Sequence, residues 1–350
     1  MKIGLIGPPL SGKSTLYQLL TGATQVSAAR GGVPQAAARV PDRRLERLSE
    51  IFRPRKLTYA LLEVADFPPL GHRCEISGEA AARLKTCHAL AVVVRGHDSQ
   101  SVPWPLQPVP PDLAFTDFLS EMLLNDLCQV ETLLERSSDK KSGDQTGTLR
   151  ACQALLEASR PLLSAEWTDD DWRILRNLAF LSIRPILVAV NISERQLLDG
   201  DYDNRSALVS LCAAAGYPII EFCGTVEQEI SLVSPEEQHD FLAAYGLKET
   251  GVARLAGGAY KLLDVCSFFT VGEDEVRAWT IKSGTVARKA AGKIHSDMER
   301  GFIRAEVIGY EEFLALGGSL KRARELGKLR LEGKEYPVQD GDIINFRFNI

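Results

Sequence analysis

One stretch near the start of the chain, Gly7-Pro8-Pro9-Leu10-Ser11-Gly12-Lys13-Ser14, constrains the fold more than any other. It has the spacing Gly-x-x-x-x-Gly-Lys-Ser. A short apolar run (1–6) precedes it and reads as a buried parallel strand. The segment that follows (13–20) reads as a helix with Leu16, Leu19 and Leu20 on one face. Strand, glycine-rich loop and helix in that order are the context a P-loop requires. Gly7 and Gly12 let the backbone curl so that its N–H groups converge on phosphate oxygens. The helix that begins at Lys13-Ser14-Thr15 turns a positive dipole end toward them. Lys13 supplies a point charge to the β- and γ-phosphates and is the candidate catalytic group. Ser14 offers a hydroxyl to Mg²⁺. The fold expected is therefore α/β, a P-loop sheet that binds a nucleoside triphosphate.

Further elements fall at the ends of later strands. Residues 59–64 read as a strand running into Ala65-Asp66, where P-loop proteins place a carboxylate for Mg²⁺. Residues 89–94 and 186–190 read as buried strands, the second ending at Asn191-Ile192-Ser193-Glu194. An amide and a carboxylate at that edge suit a nucleobase, and ligands of open α/β sheets bind there. Cys223-Gly224-Thr225 follows the next strand (218–222) and is a candidate for the loop beneath the base. Residues 28–38, rich in Ala and Gly, read as a loop, and 43–52 as a helix.

Two other stretches differ in texture. Residues 115–136 and 149–163 are amphipathic and flank a polar tip (137–147), so they read as an inserted helical hairpin. From Cys266 onward, short strand-like runs alternate with Gly and Asp turns, the strongest being Gln339-Asp340-Gly341-Asp342. The organisation expected is a nucleotide-binding domain over 1–100 and 180–265, a helical insertion over 101–179, and a β-rich C-terminal domain over 266–350.

Composition excludes several classes. Seven cysteines lie far apart with no C-x-x-C pair, so neither a disulfide framework nor a zinc site is indicated. No segment approaches the roughly 20 apolar residues of a membrane helix. A cytoplasmic protein with no membrane partner is expected. The net charge of −5 argues against wholesale polyanion binding, and nothing indicates recognition of DNA sequence. The C-terminal part from Arg277 is nonetheless basic, with 14 Lys/Arg against 10 Asp/Glu. That asymmetry hints at a nucleic-acid-facing end.

The C-terminal part carries Arg277-Ala278-Trp279-Thr280-Ile281-Lys282, Ala291-Gly292-Lys293-Ile294-His295-Ser296-Asp297 and Gly301-Phe302-Ile303-Arg304-Ala305-Glu306-Val307. It closes with Gly327-Lys328-Leu329-Arg330-Leu331-Glu332-Gly333-Lys334-Glu335-Tyr336 and Val338-Gln339-Asp340-Gly341-Asp342. These stretches resemble the TGS domain of the YchF / Obg-like ATPase family. Val40-Pro41-Asp42-Arg43-Arg44-Leu45, the helical hairpin and Asn191-x-x-Glu194 are similar to that family as well. The resemblance covers nearly the whole chain. It implies a GTPase-like domain, a coiled-coil-like insertion and a β-grasp (ubiquitin-like) TGS domain. It also implies ATP in preference to GTP, Mg²⁺, and an association with ribosomes and translation-linked stress regulation. Guanine-specific relatives of the fold carry Asn-Lys-x-Asp. Here Ile192 and Glu194 stand at the Lys and Asp positions, which removes that selection and leaves Asn191 to serve adenine as donor and acceptor.

Two departures from the family pattern, together with an apolar Leu70 that is normal for the family but cannot polarise water, bear on hydrolysis. The switch II segment reads Asp66-Phe67-Pro68-Pro69-Leu70, and Pro69 replaces the glycine whose N–H would meet the γ-phosphate. Leu70 stands where other GTPases place a water-orienting Gln. Between Thr21 and Val40 no equivalent of the switch I threonine is found, Thr24 lying too near the first helix. His72 is a candidate for positioning water. Two readings follow: a slow Mg-dependent ATPase switch acting on ribosomes or RNA, and a non-hydrolysing nucleotide-binding adaptor that docks through its TGS domain, with GTP as the alternative nucleotide.

Overall fold

The computed structural model describes residues 1–349 apart from 24–32, 72–75, 100, 105–106 and 139–142. Among the described residues the strands are β1 (Lys2–Ile6), β2 (Gln35–Val40), β3 (Lys56–Thr58), β4 (Ala60–Asp66), β5 (Ala89–Arg95), β6 (Ile186–Asn191), β7 (Ile219–Phe222), β8 (Val265–Thr270), β9 (Glu275–Lys282), β10 (Phe302–Gly309), β11 (Arg330–Glu332) and β12 (Asp342–Phe348). They form two sheets, and the chain divides into two compact units: Met1–Ala38 with Glu63–Ala259, and Arg39–Leu62 with Tyr260–Ile350.

The sheet of the first unit has the order β2-β4-β1-β5-β6-β7. β1 runs parallel to β4 and β5, and β5, β6 and β7 are parallel in turn. Every residue of β5 and β6 is buried, which explains their unbroken apolar runs. Register brings the strand ends into line. Leu5 pairs with Asp66, Arg95 with Asn191, and Asn191 with Phe222. The residues after β1, β4, β6 and β7 therefore emerge at one edge, where ligands of such sheets bind.

The expected loop over 28–38 needs correction at its end. Gln35–Val40 is a strand, with buried Ala38 and Val40 alternating with exposed neighbours. Alanine is a poor strand former by propensity, so the sequence hid it. Pairing with β4 overrides propensity here. The remainder of that segment, with Thr24, lies outside the described residues, as does His72.

Helices Pro111–Ser138 and Gly143–Glu157 form the inserted hairpin, and part of its tip lies outside the described residues. The hairpin shares one apolar core with the sheet: Phe115, Phe118, Met122 and Cys152 are fully buried in the same cluster as Leu90, Val92 and Val188. Asp126 lies at its centre, wholly buried, and accepts from the backbone N–H groups of Leu181 (2.9 Å) and Ser182 (2.7 Å). Burial raises its carboxyl above the ordinary aspartate value, against the pull of those donors.

The second unit holds a mixed sheet, β11-β10-β12-β8-β9-β3. β8 and β9 form an antiparallel hairpin, β12 runs parallel to β8, and β10 is antiparallel to β12 and β11. First and last strands of the C-terminal part thus lie side by side at the centre, the arrangement of a β-grasp. Helix Ala287–Ile294 covers one face through Ala287, Ala290 and Ala291, which pack with Phe268, Ile281, Val307 and Phe346. The Gln339–Asp342 turn is fixed by Asp342, whose Oδ2 accepts from the Gln339 N–H (2.9 Å) and the Tyr336 hydroxyl (2.8 Å).

Residues 39–62 make their contacts with this second unit, although the sequence places them within 1–100. β3 extends the β-grasp sheet alongside β9. In helix Arg43–Phe52, Phe52 stacks on Phe313 at 5.7 Å between centroids. Arg44 bridges Asp42 (2.8 Å) and Asp340 (2.7 Å). No local pattern announces such pairings, because every partner but Asp42 lies more than 200 positions away in sequence.

Candidate nucleotide site

β1 delivers the chain to the P-loop, and close packing dictates its glycines. A Cβ on Gly7 would lie 2.2 Å from the carbonyl oxygen of Val93. Gly12 has φ +90°, and a Cβ there would lie 2.2 Å from Asn191 Nδ2. Leu10 also takes the left-handed region, at φ 59°, where a leucine is strained. Helix Lys13–Thr21 starts directly after Gly12 with no side-chain cap. Its first N–H groups are therefore left to an anion.

Three side chains converge at the loop's mouth. Lys13 and Asp66 are both nearly fully buried and form an ion pair, with Lys13 Nζ donating to Asp66 Oδ1. Ser14 Oγ donates to Asp66 Oδ2 at 3.0 Å. One carboxylate thus holds the Lys13 ammonium and the Ser14 hydroxyl together. Within the loop, the buried Ser11 hydroxyl has no hydrogen-bond partner among the described residues.

A hydroxyl beside a carboxylate is an oxygen donor set suited to Mg²⁺, which keeps several waters and takes few protein ligands. Among the described residues no group of three or more His, Cys, Asp or Glu side chains offers a fuller metal cage. The residues present therefore fit a magnesium held between Ser14, Asp66 and a phosphate.

The other end of the site is built around Asn191. Its Nδ2 donates to the Ser11 carbonyl (3.1 Å) and its Oδ1 accepts from the Gly224 N–H (3.1 Å). The side chain expected to read a base is thus engaged in tying the P-loop to the loop after β7. Ile192 is buried, and its N–H donates to the Phe222 carbonyl (2.8 Å). Cys223 is buried with its Sγ 3.1 Å from Thr225 Oγ1, and Gly224 opens helix Gly224–Leu232 against Thr15. Glu194, by contrast, is exposed at the start of helix Glu194–Asp199. Its Oε1 accepts from the Tyr245 hydroxyl at 2.7 Å. Tyr245 ends helix Pro235–Ala244 and packs with Phe241, Leu242, Cys223, Val226 and Ile230. No local pattern points to it, since 51 residues separate it from Glu194.

The comparisons with known proteins cover the chain end to end. The YchF-GTPase_C family model, described as a protein of unknown function (DUF933), matches residues 265–349. A Bacillus subtilis protein named ribosome-binding ATPase YchF is 34% identical, over 99% of both chains. The chain belongs to the YchF family. An Escherichia coli O157:H7 relative of the same name is 32% identical over 100% of this chain and 99% of its own. A solved structure described as the Schizosaccharomyces pombe YchF GTPase superposes with a TM-score of 0.89 at 25% identity, covering 99% of this chain and 97% of that one. The fold is that of a P-loop GTPase.

Against that family membership, the switch II segment departs from the pattern in a way the structure makes concrete. Pro68 and Pro69 are exposed, and Pro69 carries no N–H. Leu70 turns inward: only 5% exposed, it joins the apolar core, and its N–H donates to the Gly7 carbonyl at 3.0 Å.

Proposed function

We propose that the chain is a cytoplasmic, Mg²⁺-dependent, ATP-binding switch that hydrolyses ATP slowly and associates with the ribosome. The observation that carries this reading is the buried Lys13–Asp66 pair, with Ser14 on the same carboxylate, under a glycine-shaped loop. Gly7, Pro8, Pro9, Leu10, Ser11 and Gly12 form the cradle. Lys13 exchanges its carboxylate partner for phosphate oxygens, and Thr15 continues the helix end that faces them. Ser14 and Asp66 hold the magnesium, which when bound neutralises charge developing on the phosphates. Backbone N–H groups, the Lys13 ammonium and a dry loop supply the remaining stabilisation. The relatives named ribosome-binding ATPases support both the nucleotide and the partner.

For the ribosome, we assign contact to the C-terminal TGS unit. Its basic residues include Arg288, Lys289, Lys293, Lys321, Arg322 and Arg324. Lys289 is paired with Glu299 (2.6 Å) and Arg324 stands 3.8 Å from Glu306, so part of this charge is already engaged. Contact with rRNA predicts affinity that falls steeply with salt. A salt-insensitive complex would point to a ribosomal protein.

A second reading, a nucleotide-binding adaptor that does not hydrolyse, is favoured by Pro69, which has no N–H, and by the lack of a switch I threonine equivalent between Thr21 and Val40. ATP turnover at saturating Mg²⁺, wild type against Lys13→Ala, separates the two. A rate that Lys13→Ala leaves unchanged rules out the ATPase and leaves the adaptor.

A further inference from the structure

We propose that Tyr245 is a specificity-determining residue that works by occupying the Glu194 carboxylate and so disfavours guanine. This inference rests on the ATP-binding reading above and on the placement of the base beside Asn191 and Glu194 expected from the sequence. Guanine presents two donors on its Watson–Crick edge, N1–H and the 2-amino group, and both seek a carboxylate. Adenine presents an acceptor at N1 and a bare C–H at position 2, and has no use for one there. In Asn191-x-x-Glu194 the glutamate carboxylate follows the end of β6, the edge at which the sequence places the base.

The structure shows that carboxylate already taken. Tyr245 donates to Glu194 Oε1 at 2.7 Å. A carboxylate that accepts a hydroxyl forms a short, charge-assisted bond, stronger than one between neutral groups. The tyrosine is not a passing neighbour. Its ring is seated in a small apolar cluster with Phe241, Leu242, Cys223, Val226 and Ile230, and it stacks obliquely on Phe241 at 5.7 Å between centroids. The same cluster includes Leu197, one turn along the helix that Glu194 opens. The helix that Glu194 opens and the helix that Tyr245 ends therefore pack on one shared cluster. The bond to Glu194 pushes the Tyr245 phenol up to about 12, so it stays protonated and remains a donor throughout the physiological range.

A guanine entering this site must compete with Tyr245 for Glu194 or accept one oxygen in place of two. An adenine meets no such competition.

The test is the ratio of ATP to GTP affinity, measured by titration of the full-length protein with each Mg²⁺-nucleotide. Tyr245→Phe keeps the ring and the cluster and removes only the hydroxyl. The expected result is GTP affinity raised about 5- to 10-fold, with ATP affinity within about twofold of wild type, the net scale of one ordinary hydrogen bond. Glu194→Gln completes a double-mutant cycle. In that background Tyr245→Phe must no longer shift the ratio, since the carboxylate it blocked is gone. Equal changes for both nucleotides would show a structural role and overturn the proposal. An unchanged ratio in Tyr245→Phe would overturn it as well. A wild-type protein that prefers GTP would instead overturn the ATP assignment beneath it. A thermal melt of Tyr245→Phe at the wild-type temperature confirms that the ratio reports selectivity.

Discussion

The two ends of the site are built on opposite plans. At the phosphate end the main groups are packed or partnered before any ligand arrives: Gly7 against Val93, Gly12 against Asn191, Lys13 and Ser14 on Asp66. At the base end the deciding carboxylate is exposed and held by a single hydroxyl from a distant helix. Binding any triphosphate demands a fixed cradle, because all nucleotides share the same phosphates. Choosing among bases demands only one or two groups, which can change without disturbing the cradle. Substitutions at the first end should therefore cost binding and stability together, and substitutions at the second should move selectivity alone.

The largest effect is expected for Lys13→Ala. It removes the loop's point charge and leaves Asp66 buried without its cation. ATP turnover should fall by about 10²–10³, the scale for deleting one preorganised donor to a developing charge. Steady-state phosphate release measures it. A variant at wild-type rate would break the comparison at its stronger end. Next comes Asn191→Ala, which strands the Ser11 carbonyl and the Gly224 N–H in a buried place. It should cost about 3 kcal/mol of stability, from two polar groups left unpaired. Denaturant titration gives the value. Nucleotide affinity should drop for ATP and GTP alike, since Asn191 ties loops rather than reading one base. A loss confined to one nucleotide would return it to base recognition.

These two residues also show what was legible in the sequence. Lys13 was legible because a P-loop is local: its spacing, the preceding strand and the following helix fit within about twenty residues. Buried β5 and β6 were legible for the same reason, as unbroken apolar runs. Asn191 was visible as a position, but its hydrogen bonds were not, since they join segments up to 180 residues apart. Tyr245 left no trace at all, and β2 was masked by alanines whose strand character comes from a neighbour. The attachment of 39–62 to the C-terminal unit belongs with them. Local chemistry could be read, whereas tertiary pairing had to be seen.

Between the two ends lies switch II, and Pro69→Gly tests it. Restoring an N–H at that position gives the γ-phosphate the donor that proline withholds. Turnover should rise about tenfold, less than the full value of a preorganised donor because a glycine in an exposed segment is not held in place. ATP affinity should change little. A rate that does not move would favour the adaptor reading and would place the deficit in the switch I region. A smaller expectation concerns pH. The Tyr245 phenol is raised above its unfolded value, so its contribution is fully present below about pH 10 and is lost only as pH rises through about 12. The ATP-to-GTP affinity ratio should therefore stay within about twofold from pH 6 to 9. A drift of the ratio within that range would mean that some other titrating group governs selectivity.

The smallest effect is at Leu10, where the phosphate end has a weakness of its own. Its φ of 59° lies in the left-handed region, which costs a leucine about 1 kcal/mol. The side chain is 49% exposed, so little packing repays the strain. Asparagine tolerates the same backbone, because its short polar side chain bonds locally. Leu10→Asn should therefore raise stability by about 0.5–1 kcal/mol, seen as a modest increase in melting temperature of the nucleotide-free protein. The backbone N–H groups of the cradle keep their places, and ATP affinity should remain at the wild-type value. If stability rises while affinity falls, the strained leucine is there for the ligand: its conformation would hold the loop open for the phosphates at the expense of the resting fold. If neither moves, the loop is already over-determined by Gly7 and Gly12, and the fixed character of the phosphate end rests on its glycines alone.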